Sequence, residues 1–135
     1  MKKLLLLSLS ILFLASCKDE TTSNHQDSHS VQLSIDVSNA VNIGSLNIYM
    51  NDDIVGQMSA AGTHDRNMNY IFKLEQGITQ HPMALNFSVE PMFLDSSEAR
   101  GDISVNLLID EEKQAETPLQ PVVYGGSVRL SHTVE

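Results

Sequence analysis

Tryptophan is absent from the 135 residues, and cysteine occurs once, at Cys17. A single thiol excludes an internal disulfide, so whatever folds must rest on packing alone. Positive charge is scarce as well: eight Lys and Arg stand against 17 Asp and Glu. Two of the eight are Lys2 and Lys3, whereas every acid follows Cys17, so the chain from Cys17 onward carries six bases against 17 acids, a net −11. That balance excludes a nucleic-acid binder and electrostatic adhesion to anionic lipid, both of which need basic surface. A nucleophile elbow, an HExxH helix, a Walker-type loop and a GxGxxG turn are all missing. Ser, His and acids are present, but no context singles out a triad, and no enzyme is expected. Without tryptophan, and with Tyr70, Phe72 and Phe87 in apolar rows, nothing in the sequence supports a glycan-binding module.

Long apolar runs are also lacking, with one exception. Leu4 to Leu14 reads LLLLSLSILFL, preceded by Met1, Lys2 and Lys3 and followed by the small residues Ala15 and Ser16. A positive start, an apolar stretch and a small-residue cleavage site make a secretory signal peptide, residues 1–16. A membrane span needs roughly 20 apolar residues, more than this run supplies. Leu14-Ala15-Ser16-Cys17 resembles the lipobox of bacterial lipoproteins. That resemblance implies lipid on the Cys17 sulfur and on its amino group after cleavage. Each buried methylene contributes about 0.8 kcal/mol, so two or three chains hold a protein where one would not.

The next residues bear on the address. Position 18 is Lys, not the Asp associated with inner-membrane retention. Cys17-Lys18-Asp19-Glu20 is similar to the export signal of Bacteroidota-type surface lipoproteins, which implies the outer membrane, the external face being favoured over the periplasmic one. Residues 18–30 contain no apolar side chain, so 17–30 is expected to be a disordered tether spanning about 20 Å. His25 and His29 stand at i, i+4 spacing within it, but their Ser, Asn and Asp neighbours do not favour the helix that a metal pair would need.

From Val31 the pattern changes to alternation. VQLSIDVS sets Val31, Leu33, Ile35 and Val37 against Gln32, Ser34, Asp36 and Ser38, the period of a half-buried strand. SLNIYM and IVGQM flank Asn51-Asp52-Asp53, a hairpin. NYIFKLE, MALNFSVE, DISVNLLID and SVRLSHTVE repeat the alternation, and Gly125-Gly126 marks a bend. SAAGTHDRNM and DEEKQAETPLQP are read as loops. Residues 31–135 are therefore expected to form a single all-β domain, an antiparallel β-sandwich of about seven strands, immunoglobulin-like or transthyretin-like.

Several features carry candidate chemistry. His64, Met68, His81 and Met83 combine imidazole with thioether, a soft set suited to copper, although Met83 also belongs to the apolar row of Leu85, Phe87 and Val89. The acidic loops lack calcium-loop spacing. Arg100-Gly101-Asp102 spells an adhesion tripeptide, for which a glycine before a strand is sufficient reason. Met92, Phe93 and Leu94 after Pro91 form the largest apolar group outside the rows, either tucked over the end of the sandwich or open to an envelope partner. The reading that follows is a lipid-anchored, non-enzymatic binding or assembly module with an envelope protein as partner. A small copper-binding lipoprotein is the alternative.

Overall fold

The computed structural model describes residues 28–60, 66–75, 77–79 and 82–135. The signal peptide, Cys17 with Lys18, Asp19 and Glu20, and the histidines His64 and His81 lie outside them. Nine strands are formed among the described residues: β1 Val31–Val41, β2 Ile43–Met50, β3 Asp53–Ser59, β4 Arg66–Lys73, β5 Met83–Phe93, β6 Arg100–Ile109, β7 Glu112–Glu116, β8 Gln120–Val123 and β9 Val128–Val134. They build two antiparallel sheets packed face to face, as the alternation predicts. The first has the order β4-β1-β6-β7, with β8 also on β6, and the second β3-β2-β5-β9.

The inner rows explain why the sheets close on each other. Leu33, Ile35 and Val37 of β1 and Ile103, Val105 and Leu107 of β6 are buried on one side. Leu46 and Ile48 of β2, Leu85, Phe87 and Val89 of β5, and Val128 and Leu130 of β9 meet them from the other. Each such side chain contributes about 1.5–3 kcal/mol when fully buried. Met50, Met58, Met68 and Met83 pack half-buried at the margins of this core, where flexible thioethers fill irregular gaps.

Turn chemistry sets the corners. Asn51 and Asp52 both adopt positive φ, 51° and 72°, the requirement of a two-residue hairpin turn, here between β2 and β3. Asp110 and Glu111 do the same between β6 and β7, at 50° and 69°. Asn42, at φ 61°, turns the chain from the first sheet into the second. Asparagine tolerates this left-handed region better than most residues.

Four boundaries differ from expectation, the first being that Arg66, Asn67 and Met68, read as the end of a loop, open β4, which pairs with β1. DEEKQAETPLQP contains β7 and the start of β8, which together line the outer side of β6. Thr117 bridges the gap between them: its amide donates to the Val105 carbonyl at 2.8 Å, and its hydroxyl accepts from the Val105 amide at 2.9 Å. An edge strand needs no apolar alternation; charges and prolines, here Glu112, Lys113, Glu116, Pro118 and Pro121, keep it from pairing further. Strand β5 runs through Pro91 to Phe93, because β9 accompanies it only to Val89 and leaves one flank open beyond. The tether, expected to extend to Ser30, is already fastened at His29, whose amide and carbonyl exchange hydrogen bonds with those of Ile78 at 2.9 Å.

Candidate functional site

Strand directions give the sandwich two distinct ends. The chain enters at His29 and Val31, beside Ile109, Leu74 and Ile78. Strand β1 then spans 11 residues, about 36 Å at roughly 3.3 Å per residue, to the opposite end. Met92, Phe93 and Leu94 lie at that far end, where β5 runs out.

Local geometry there is set by a bulge. Ile43 pairs with Phe93 and Ser45 with Met92, so Gly44 is the extra residue on β2. A Cβ on Gly44 would stand 2.6 Å from Leu94 Cδ2, so the missing side chain makes room for leucine. The Leu94 amide donates to the Asn42 carbonyl at 2.7 Å, and the Asn42 side-chain amide donates to the Ser97 carbonyl at 3.0 Å, tying the following loop down. Within that loop the Ser97 amide caps Asp95 and, with the other Ser97 and Ser96 hydrogen bonds, holds its carboxyl below the ordinary value.

The expected trio is divided in its burial. Phe93 is half-buried against the core, whereas Met92 is 45% and Leu94 71% exposed. A fourth member joins them: Tyr124, 65% exposed, brings its ring to 6.3 Å from that of Phe93 at an interplanar angle of 37°. Such tilted pairs are favourable beyond simple area burial. Glu90, Pro91 and Gly125 complete a hollow of about 160 Å³ between the two rings. The strand ends at Val123, and the bend at Gly125, φ 77°, leaves the tyrosine exposed beside Phe93.

The remaining candidates are scattered. Met68 sits in β4 opposite Val37 of the first sheet, and its sulfur accepts a hydrogen bond from the Tyr70 hydroxyl at 2.8 Å. Burial raises the pKa of that phenol. Met83 sits in β5 opposite Val134 of the second sheet, beside Met50 at the tether end. The two thioethers occupy different sheets, Met68 level with Val37 of β1 and Met83 in the cleft beside Leu74 and Ile78 where β1 begins; His64 and His81 lie outside the described residues. Among the described residues no group of three or more His, Cys, Asp or Glu is placed to hold a metal ion. Arg100-Gly101-Asp102 opens β6, with Gly101 buried where a Cβ would press on Ile43 and Asp102 engaged by the Asn39 amide at 2.6 Å.

No protein-family model, no curated protein and no solved structure matches the chain.

Proposed function

We propose that this chain is a lipid-anchored, non-enzymatic binding or assembly module of the bacterial outer membrane. In this reading Cys17 carries the lipid, Lys18, Asp19 and Glu20 direct export, and the apolar cap of Met92, Phe93, Leu94 and Tyr124 engages an envelope protein. The observation that carries the reading is positional: the cap is at the end of the sandwich opposite the one where the chain enters at His29. A tether at one end and exposed apolar side chains at the other suit display toward a partner. For the copper alternative, Met68 pairs beside Val37 in one sheet and Met83 beside Val134 in the other, while His64 and His81 lie outside the described residues.

Affinity purification of the full lipidated protein from detergent-solubilised envelopes tests this. One envelope protein is expected to co-purify stoichiometrically and to be lost in Met92→Asp and Leu94→Asp. Both side chains are exposed, so these variants should retain the wild-type thermal transition. A partner retained by both variants would contradict the reading. Cys17→Ser is expected to release the protein from the membrane fraction.

A further inference from the structure

We infer that the outer face of the second sheet is a groove for a neutral oligosaccharide, a site separate from the cap and independent of the function proposed above. The groove has a volume of about 730 Å³, within the range of small-molecule sites. Its floor is a set of cross-strand rows. Tyr49, Ser88 and Arg129 form one row across β2, β5 and β9, and Asn86 and Ser131 form the next. Glu90 stands one row further toward the cap, opposite Asn47. From Asn86 to Glu90 the floor runs about 13 Å at roughly 3.3 Å per residue. The Asn51–Asp52 turn closes one end, and Gly125 with Ser127 of the β8–β9 connection closes the other.

Both outer faces pair some of their polar groups: on the second sheet the Gln57 amide donates to Asn47 at 2.8 Å, and the Asn86 side-chain amide donates to Asn51 at 3.2 Å. On the first sheet the Asn69 amide donates to Asp36 at 2.6 Å and to Ser34 at 3.2 Å, and Asn39 donates to Asp102 at 2.6 Å. In the groove, the side chains of Tyr49, Ser88, Glu90, Arg129 and Ser131 make no hydrogen bond or ion pair among the described residues. They form a fixed array of donors and acceptors on rigid strands with its bonding capacity turned toward solvent.

The composition of that array selects the ligand class. Hydroxyl-rich rings both donate and accept, which matches Ser, Asn, Arg and carboxylate groups set side by side. Tyr49 adds a ring that offers an apolar face and a polar tip together. Arg129 is offset by Asp52 and Glu90, so the groove has no surplus positive charge, and the strongly acidic chain around it repels anions. The lining is too polar for an apolar ligand. An extended peptide would bond through its backbone, and on β5, between β2 and β9, those groups are already paired, so a peptide would join along the outer edge of β9 and not across the groove floor. A bulge between Ile48 and Tyr49, with Val55 as the extra residue, bends β3 beside the tyrosine, as bulges do where a side chain is re-aimed.

The test is calorimetric titration of the full lipidated protein in detergent with neutral hexasaccharides of glucose, mannose and xylose in several linkages. Sulfated hexasaccharides and an unstructured peptide complete the panel. Saturable binding of at least one neutral sugar is expected, nearly unchanged between low and high salt. Arg129→Ala and Tyr49→Ala should each weaken it by about tenfold or more, the loss typical of a hydrogen bond to a charged group or of a contact ring. Asn69→Ala on the opposite face and Met92→Asp on the cap should leave it intact. Arg129 is exposed, so its variant isolates the site even if Tyr49→Ala destabilises the sheet. Binding to none of the neutral sugars, binding unaffected by Arg129→Ala, or binding confined to the sulfated sugar or the peptide would overturn the inference.

Discussion

The two ends of this sandwich differ in how they use side chains. At the tether end, Asp110 gathers the incoming chain: it accepts from the His29 ring, from the Ser30 amide at 2.8 Å and from the Ser30 hydroxyl at 3.3 Å. A cleft of about 420 Å³ lies nearby, with Met50, Leu74, Glu75, Ile78 and Met83 among its lining residues. At the far end the Asn39 amide donates to Asp102 and the Asn42 side chain to Ser97, and the exposed apolar side chains include Met92, Leu94, Val123 and Tyr124. One end therefore fastens the chain through hydrogen bonds beside a partly apolar cleft and an exposed Ile54, and the other carries the exposed cluster of Met92, Leu94 and Tyr124. The two ends are separated by the length of β1, and a shared core connects them.

The largest disturbance should erase the distinction. Phe87→Ala empties a buried site between the ends and is expected to cost about 3–5 kcal/mol in chemical denaturation, loosening both ends alike. Gly44→Val should strike the cap alone, since its side chain collides with Leu94. A cost of about 1–3 kcal/mol is expected for such overpacking, with faster amide exchange at Leu94 and unchanged protection at Ile78. Asp110→Asn should produce the smallest effect and the converse pattern: amides of Ser30 and Ile78 exchange faster while Leu94 is unaffected.

Acid should imitate that last variant. The hydrogen bond from His29, then that from the Ser30 amide, holds the Asp110 carboxyl below its ordinary value. A carboxyl lowered on folding contributes stability that is complete above the unfolded pKa, about 4, and is lost as pH falls through the folded one. Exchange at Ser30 is thus expected to accelerate on acidification in the wild type and to lose that pH dependence in Asp110→Asn.

Much of the fold was legible because its central strands bury one face each. Val31 to Val37 and Ile103 to Leu107 alternate without a break, and the Asn51-Asp52 turn carries the residues that positive φ requires. The edge strands were not legible for the converse reason. Only Ala115 of β7 is even half-buried, so no period of two exists for the sequence to display, and the pairing to β6 is made by backbone. Pro91 was equally misleading, since its tolerance depends on where β9 departs from β5, a long-range fact. The site divides in the same way. Met92, Phe93 and Leu94 are contiguous and visible, whereas Tyr124 reaches Phe93 from 31 residues away. The groove around Tyr49 and Arg129 exists only once β2, β5 and β9 are in register. Sparse aromatics argue against glycan recognition in the linear chain; the row of Tyr49, Ser88 and Arg129 is a juxtaposition that only the strand register makes.

The polarity of the two ends is most directly tested by site-specific photocrosslinking in intact cells, with the crosslinker placed in turn at position 94 and at position 111. Both sites are exposed, one on the cap and one on the β6–β7 turn of the tether end. The expected result is a single discrete adduct with an envelope protein from position 94 and none from position 111. Adducts from position 111 alone, or equal yields from both, would contradict a cap that binds and a tether end that only fastens.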